Sequence, residues 1–341
     1  MIPHSKPDVG LREAFAAMRA TLRGELAVGR DTHALERAVN ERSGLEHTIG
    51  TSSGTNALFL LMRGMGIGPG DEVITPSYVC TSVPRAVTMT GAQVRFADIG
   101  HGLNLDPASV DARRTSATRA IIVPHLFGYA VDADAFEGPI IEDLAQHPST
   151  GPSGADHRIY SFYATKPIAG GRGGMIATRE RDVADHINDL MRYDGRDDFG
   201  ESYSMSLSNL DAAIACVQLA RLDELDGKRA AIAARYDDAL AAHGLETIIV
   251  RMPEGSHPYR YLIEVEYADR AIDALRDQGV GAERPIYAPA HLLSGAPERV
   301  SLPNTERAFE RYVSIPLHTK LSASDQDRVI EAVAKIAGRY A

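Results

Sequence analysis

Apolar residues recur at helical spacing through the first part of the chain. The segments LREAFAAMRATLRGEL and THALERAVNERSG, within residues 11–44, both carry this spacing, and Gly44 is a typical helix stop. A loop of small residues, GTSSGTNAL, follows and leads into a helix whose first turn contains Thr55 and Asn56. The pattern therefore predicts two helices, a polar loop and a third helix before any strand-rich region.

Short apolar runs then alternate with helical segments. Five of these runs are rich in Ile and Val, are bounded by Gly, Pro or Asp, and are predicted strands: DEVITPSYV, AQVRFADI, RAIIVPHLFG, GPIIEDLA and GGMIATR. Alternation of strands and helices predicts an α/β protein with a mainly parallel sheet covered by helices on both faces. In such a sheet the ligand binds beyond the carboxyl ends of the strands.

The pattern changes in the second half of the chain. One long helix is predicted over about residues 209–243, bent near Gly227, and it would bridge two domains. After Gly244 come a strand, YRYLIEVEY, and two helices, ADRAIDALRDQG and SASDQDRVIEAVAKIAG. We therefore expect a large domain over residues 1–243, including the bridging helix, and a smaller α+β domain over residues 244–341.

Composition narrows the possible functions. The 341 residues carry a formal net charge of -10 with no basic run, which argues against nucleic acid or an anionic membrane as a main partner. The two cysteines, Cys80 and Cys216, form no CxxC or Cys/His cluster, so neither a disulfide framework nor a metal site is expected. No apolar run approaches the roughly 18 residues of a membrane span, and the N-terminus lacks a signal-peptide core. These features favour a cytoplasmic protein.

Lys166 is an oddly placed lysine. It lies in SFYATKPIAGGRGG, among small residues and ahead of four glycines in five positions. Upstream, PIIEDLAQ is a predicted buried strand that delivers Asp143 at its carboxyl end. A pyridoxal phosphate (PLP) enzyme needs both groups, because a lysine amine forms the Schiff base and an acid pairs with the pyridinium nitrogen. Taken singly, a solvated lysine and a helix-capping acid are the ordinary alternatives.

The loop before the third helix is suited to a phosphate group. Ser53, Gly54 and Thr55 lie where free backbone N–H groups and the helix dipole favour an anion, although a plain N-cap explains the same residues. Ser161 would reach the same phosphate if the lysine segment folds back over the cofactor. Gln146, three residues after Asp143, is either a donor to the phenolic oxygen of PLP or a surface residue.

Six motifs, in this order, resemble the DegT/DnrJ/EryC1/StrS family: SSGTNAL, DEVITPSYV, IIVPHLFG, IIEDLAQ, SFYATK and LPNTERAFERYVSIPLH. The family consists of fold-type-I PLP enzymes, mostly aminotransferases of nucleotide-linked keto-sugars, and the resemblance covers essentially the whole chain from about Pro3. It implies a homodimer in which the partner chain completes each active site. The Schiff-base lysine and the pyridinium acid fall on Lys166 and Asp143. The ring-oxygen donor falls on Gln146, and the phosphate ligands fall on Gly54, Thr55 and Ser161.

Near the cofactor this chain departs from the family pattern at two places. The family's ring-stacking aromatic residue is replaced by Cys80, so either Tyr78 stacks on the ring or something smaller covers it. Cys80 itself is expected to be a buried, inert cysteine rather than a reactive thiol. In the glycine-rich loop Arg172 replaces a carboxylate, and it either binds a phosphate or carboxylate or faces solvent.

Residues farther from the cofactor differ as well. The family's partner-chain asparagine and arginine are replaced by Ser204 and Ser206, which argues against cross-subunit phosphate contacts. Tyr287 and His291, in RPIYAPAHLL, occupy positions that often approach the sugar, although packing among prolines is an equal alternative. Arg192, in the polar loop MRYDGRDD, is either an entrance residue or a solvated charge.

The sequence therefore predicts transfer of an amino group from glutamate or glutamine to a keto-sugar, in amino-sugar or secondary-metabolite biosynthesis. One alternative is a PLP enzyme of the same fold that performs dehydration, deoxygenation or cyclisation. A second is a transaminase of a non-nucleotide ketone such as a keto-cyclitol. A third is a non-catalytic regulatory protein, against which the presence of both Lys166 and Asp143 argues.

Overall fold

The computed structural model of the protein describes residues 1–100, 102–148 and 153–340. The strands are β1 (His47–Thr51), β2 (Glu72–Pro76), β3 (Gln93–Ala97), β4 (Thr118–Pro124), β5 (Ile140–Asp143), β6 (His157–Ser161), β7 (Gly174–Thr178), β8 (Tyr261–Glu264) and β9 (Tyr312–Ile315). The helices are α1 (Leu11–Arg23), α2 (Arg30–Ser43), α3 (Gly54–Gly64), α4 (Ser82–Met89), α5 (Pro107–Arg113), α6 (Arg181–Met191), α7 (Asn209–Ala220), α8 (Leu222–Ala242), α9 (Ala268–Asp277), α10 (Pro303–Arg311) and α11 (Ala323–Tyr340).

Seven strands form one sheet in the order β1-β7-β6-β5-β4-β2-β3. β7 runs antiparallel to both of its neighbours, and the remaining pairs are parallel. The expected α/β fold with a mostly parallel sheet is therefore confirmed, and each of the five predicted strands is present in shortened form. The carboxyl ends of β4, β5 and β6 lie side by side at one edge.

Two strands of this sheet, β1 and β6, were not predicted. β6 begins with His157 and Arg158, which are polar residues that do not mark a buried strand. Both are buried because each has a partner: the His157 ring bonds the Thr178 hydroxyl at 2.9 Å, and Arg158 binds Glu142 at 2.8 Å. Tertiary pairing therefore overrides the polar character of these positions.

Each face of the sheet buries its own apolar core. Met175 and Ile176 are adjacent in β7, and because strand side chains alternate, they lie in different cores. Ile176 packs with the apolar residues of α3, including Leu60 and Leu61. Met175 packs with residues of α2 and α7 such as Leu35. Helices therefore cover both faces, as the strand–helix alternation predicts.

A separate core lies in the C-terminal part of the chain. It combines α8, α9 and α11 with the two-stranded sheet of β8 and β9, and Ile2 from the N-terminus joins it. The Ile2 N–H donates to the Gly279 carbonyl at 2.7 Å, which ties the N-terminal segment to this unit. Within the described residues, no helix has the length and apolar character needed to cross a membrane.

The long helix expected over residues 209–243 is divided, and the break is at Arg221 rather than near Gly227. Arg221 leaves helical geometry with φ -103° and ψ 3°, so α7 ends before it and α8 begins after it. Its guanidinium binds Glu13 at 2.9 Å, which holds the break against α1. Gly227 lies inside α8, since glycine weakens a helix without ending it.

Candidate active site

A cleft of about 380 Å³ opens where the parallel strands end. It lies at the carboxyl ends of β4, β5 and β6, the position expected for a ligand site in such a sheet. Nine of the residues singled out from the sequence line it: Ser53, Gly54, Thr55, Cys80, Asp143, Gln146, Ser161, Lys166 and Arg172. The fold therefore brings together the lysine, the acid and the phosphate loop.

Lys166 lies in a turn directly after β6. Its N–H donates to the Tyr163 carbonyl at 2.8 Å, which closes the turn. The ammonium nitrogen Nζ is 5.8 Å from the centroid of the Tyr259 ring, within the range of a cation–π contact. In the glycine-rich stretch that follows, Gly171 has φ +95°, a backbone conformation that favours glycine. The hydrogen-bonded turn therefore fixes the backbone of Lys166, whose side chain lines the cleft.

Asp143 ends β5 and is only 7% exposed. Its Oδ1 accepts the Ala145 N–H at 3.0 Å. Burial raises the pKa of its carboxyl, and the Ala145 amide and the positive charge of Lys166 only partly oppose this rise. Among the residues that the structure describes, no cationic side chain lies within 4.0 Å of this carboxylate. A buried acid without an ion pair is a fitting partner for a pyridinium N–H.

The loop at residues 53–55 is an N-cap and also has the free donors that suit an anion. The Ser53 hydroxyl accepts the Asn56 N–H at 3.1 Å and so caps α3. Gly54 and Thr55 are the first two residues of α3, and their N–H groups have no acceptor within the helix. A Cβ on Gly54 would lie 3.0 Å from that of Ser161, so the lysine segment folds back onto this loop. These donors at a helix N-terminus fit a phosphate group.

The structure places Tyr78 and Cys80 differently from expectation. Tyr78 is fully buried and does not line the cleft, because its ring packs edge-on against Phe127 at 6.1 Å, so it is not placed to stack on a cofactor. Burial raises the pKa of its hydroxyl. Cys80 lines the cleft and is exposed, so the expectation of a buried cysteine is wrong. The Ser82 hydroxyl donates to the Cys80 sulfur at 3.3 Å.

Three candidate substrate residues do not line this cleft. His291 is buried, with Nδ1 2.6 Å from the Ser77 hydroxyl and Nε2 3.3 Å from Glu306. Tyr287 is 89% exposed and is not among the residues that line the cleft. Arg192 is exposed at the end of α6 and bonds Asp189 at 2.9 Å. The packing alternative therefore describes His291, and the solvated alternative describes Arg192.

His125 is a cleft residue that the sequence reasoning missed. Its Nδ1 accepts the Val131 N–H at 3.3 Å, so its Nε2 carries the proton that it donates to Glu142 at 3.1 Å. Burial opposes the charge of Glu142, but His125 and Arg158 outweigh burial and hold the Glu142 pKa at about 2. The available signal was a histidine at the end of a predicted strand, in PHLFG.

Comparison with known proteins agrees with this geometry. Residues 10–334 match the profile of the DegT/DnrJ/EryC1/StrS aminotransferase family, and the chain belongs to this family. TlmJ, an aminotransferase from Streptoalloteichus hindustanus, is 31% identical, with 98% of each chain covered and a TM-score of 0.91. DesV from S. venezuelae is 28% identical over 96% of this chain and 94% of its own, with a TM-score of 0.88.

Spr1654 from Streptococcus pneumoniae, assigned as a sugar aminotransferase, has been solved with PLP and with its amine form, pyridoxamine phosphate (PMP). Its PMP form is 25% identical over 99% of this chain and 98% of its own, with a TM-score of 0.90. The family match and these neighbours confirm that the protein is an aminotransferase of the PLP-dependent type. The expectation of PLP as the cofactor is confirmed with it.

Proposed function

We propose that the protein transfers an amino group from glutamate or glutamine to the ketone carbon of a nucleotide-linked keto-sugar. The observation that carries this proposal is the convergence of Lys166, Asp143 and the start of α3 on one cleft. PLP bound there would supply an electron sink and the carbon that carries the amino group. The other steps depend on the side chains of this chain.

Each of these side chains has a distinct task. Lys166 Nζ would hold the cofactor covalently and, when free, would serve as the base that moves a proton to or from the substrate carbon. Asp143 keeps the ring nitrogen protonated from its buried position. Gly54, Thr55 and Ser161 hold the phosphate. Gln146 would donate from its amide NH₂ group to the ring oxygen, because its amide oxygen already accepts the Phe127 N–H.

The sugar class is supported by the likeness to Spr1654, which is assigned as a sugar aminotransferase. Arg172 adds a local argument, since it lines the cleft, is exposed, and presents a guanidinium suited to a phosphate oxygen. We therefore assign Arg172 to the nucleotide phosphates of the acceptor. The two free cysteines, Cys80 and Cys216, fit an enzyme of the reducing cytoplasm.

We also propose a homodimer with shared active sites. Four apolar residues of α1 follow one another at spacings of four, three and four, which places them on one helix face: Leu11, Phe15, Met18 and Leu22. They are 47–78% exposed in the single chain. An exposed apolar helix face of this size is typical of an interface. A second copy of the chain would bury it and complete the cleft from outside.

The half-reactions test this function. Holoenzyme mixed with L-glutamate or L-glutamine, without an acceptor, should convert bound PLP to PMP and release stoichiometric keto acid. A nucleotide-linked keto-sugar should then restore the PLP spectrum, and Lys166→Ala should do neither. If no amino acid yields PMP, amino transfer is the wrong reaction. If only a non-nucleotide ketone restores PLP, the reaction holds and the substrate class is wrong.

A further inference from the structure

A second, smaller pocket shares Lys166 with the main cleft. Its volume is about 30 Å³, enough for one or two water molecules or a carboxylate group but not for a sugar nucleotide. Thr165 and Lys166 form one wall, and Tyr259 and Arg260 form another. The N-terminal segment, through Lys6, contributes a third wall. The pocket therefore meets the main cleft at the reacting lysine, which lines both.

The pocket carries an excess of positive charge. Lys6, Lys166 and Arg260 all line it, and within the described ranges none of them has a carboxylate at ion-pair distance, 4.0 Å or less. One acid, Asp8, lines it too, but Lys320 binds that carboxylate at 2.9 Å and Arg221 lies at 3.5 Å. Such a pocket favours an anion, because paired acids cannot neutralise the remaining cations.

Arg260 is held rigidly beside the lysine segment. Its guanidinium carbon lies 4.7 Å from the centroid of the Tyr259 ring, and the Tyr259 hydroxyl donates to the Thr165 carbonyl at 3.0 Å. Arg260 Nη1 donates to His4 Nδ1 at 2.9 Å, while His4 Nε2 is 2.8 Å from the Ser314 hydroxyl. His4 Nδ1 therefore lies between the Arg260 guanidinium and the Glu283 carboxylate, and Arg260 forms no direct ion pair with that carboxylate among the described residues. His4, 3.1 Å away, and to a smaller extent Arg260 lower the pKa of the Glu283 carboxyl, so Glu283 offsets part of the Arg260 charge from a distance.

Amino transfer from an α-amino acid brings a carboxylate close to Lys166. The α-nitrogen of the amino-acid donor must reach the cofactor carbon to which Lys166 would be joined. The donor's carboxylate carbon lies only two bonds, about 2.5 Å, from that nitrogen. The carboxylate must therefore lie beside Lys166. On the proposed function, we propose that Arg260 binds the α-carboxylate of the amino-acid donor, with Lys6 at the rim. This subsite selects α-amino acids over amines that lack the carboxylate.

The test compares L-glutamate with 4-aminobutanoate, which is glutamate without its α-carboxylate. Wild-type holoenzyme should prefer glutamate in the donor half-reaction, and Arg260→Gln should lower kcat/KM for glutamate by about 10²-fold while leaving that for 4-aminobutanoate unchanged. Arg260→Lys keeps the charge without the fork and should lose about 10-fold. Arg270→Gln is the matched control. Arg270 lies in α9, its guanidinium carbon is 5.0 Å from the centroid of the Tyr267 ring, and it lines neither pocket.

Binding supplies a readout that does not depend on turnover. Calorimetry with glutarate, an unreactive dicarboxylate, should show binding to wild-type and Arg270→Gln holoenzyme and about 10²-fold weaker binding to Arg260→Gln. The acceptor half-reaction, started from the PMP form, should be unchanged in Arg260→Gln. If the acceptor half-reaction alone fails, the pocket binds the acceptor's phosphate and the inference is wrong.

Two further outcomes separate this inference from the proposed function. A wild-type enzyme that forms no PMP with any amino acid overturns amino transfer itself. A reactive wild type whose Arg260→Gln variant keeps its glutamate preference and its glutarate affinity overturns the Arg260 subsite alone. Unchanged thermal unfolding of both Arg260 variants would show that their losses do not come from misfolding.

Discussion

The backbone N–H of Phe127 donates to Oε1 of Gln146 across 2.7 Å. Phe127 has φ +64°, which is strained for an aromatic residue, and Gly128 beside it has φ +82°. A Cβ on Gly128 would lie 1.9 Å from the His257 carbonyl oxygen, so glycine is required at that position. The Phe127 carbonyl also accepts the N–H groups of Tyr259 and Arg260 at 3.0 and 3.2 Å. The turn at Phe127 and Gly128 therefore helps to position Gln146 in the main cleft, and Tyr259 and Arg260 in the second pocket.

This relationship leads to a prediction for Gln146→Glu. A glutamate keeps an oxygen for the Phe127 N–H but replaces the amide donor with a negative charge facing the cleft. We expect the affinity for PLP to fall by about 10- to 10²-fold, because a hydrogen bond to a charged group is worth roughly 1.5–3 kcal/mol. Fluorescence titration of cofactor-free protein with PLP measures this change. Gln278→Glu is the control, since Gln278 lies directly after the end of α9; this variant should bind PLP as the wild type does.

Two glycine substitutions should have opposite effects. A Cβ on Gly174, the first residue of β7, would lie 2.6 Å from the backbone of Ser53 and Gly54, whereas at Gly227 no described atom lies within 4 Å. Gly174→Ala should displace the start of α3, weaken PLP binding at least 10-fold and destabilise the protein by about 1–3 kcal/mol. Gly227→Ala should stabilise it by about 0.5–1 kcal/mol, since glycine in a helix interior is unfavourable.

Urea unfolding and PLP titration of both variants check this pair. The PLP affinity of Gly227→Ala should match that of the wild type. Equal PLP affinity in Gly174→Ala would show that β7 and the phosphate loop adjust independently.

His147 makes the protein sensitive to acid. It is buried between the rings of His125 and His257, with centroids at 5.6 and 5.1 Å. Burial and the charges of these two histidines lower the pKa of His147 to about 4. The unfolded chain binds this proton near pH 6.5, so folding becomes less favourable as the pH falls from 6.5 to 4. The loss should approach about 3 kcal/mol.

Urea unfolding of His147→Gln should show a shallower fall in stability over that pH window. Burial also lowers the pKa of His4, His157 and His318, so only the difference from the wild type reports His147. His243→Gln, at the exposed end of α8, is the control and should keep the wild-type slope. A slope unaltered by His147→Gln would mean that His147 is protonated in the folded protein.

The exposed face of α1 predicts the oligomeric state. Wild-type protein at micromolar concentration should sediment as a dimer, and Phe15→Glu should weaken dimerisation at least 10²-fold by placing a charge in the apolar contact. With the proposed shared site, activity should fall with the dimer fraction. Leu292→Glu adds the same charge at another exposed apolar position and should remain dimeric. An active wild-type monomer would contradict the shared site.

The sequence predicted the positions of Asp143 and Ser53 because local signals mark the ends of their elements. Asp143 ends a strand, and Ser53 begins a helix, so both positions follow from a parallel sheet alone. The orientation of His291 does not follow, since its contact with Ser77 joins segments 214 positions apart. Arg260 lacks any local signal for the same reason. Its neighbour Tyr259 reaches Thr165 across 94 positions, and only the folded chain shows this contact.

Asp143→Asn separates the chemical role of the acid from its structural cost. The variant should retain PLP but lose about 10²- to 10⁴-fold in turnover, which corresponds to a barrier rise of several kcal/mol, because a neutral amide does not keep the ring nitrogen protonated. In the cofactor-free protein, by contrast, Asp143→Asn should raise the free energy of unfolding. Burial raises the pKa of Asp143 in the folded protein, so the ionised carboxylate becomes increasingly unfavourable as the pH rises above its unfolded value of 3.8.

Cofactor-free Asp143→Asn should therefore unfold at a higher temperature than the cofactor-free wild type at pH 8, and the difference should shrink toward pH 4. PLP should raise the unfolding temperature of the wild type more than that of the variant, since only the carboxylate gains an ion pair with the ring. Asp273→Asn, an exposed change on α9, should alter neither quantity. Near-normal turnover in Asp143→Asn would remove the acid from the mechanism, whatever its effect on stability.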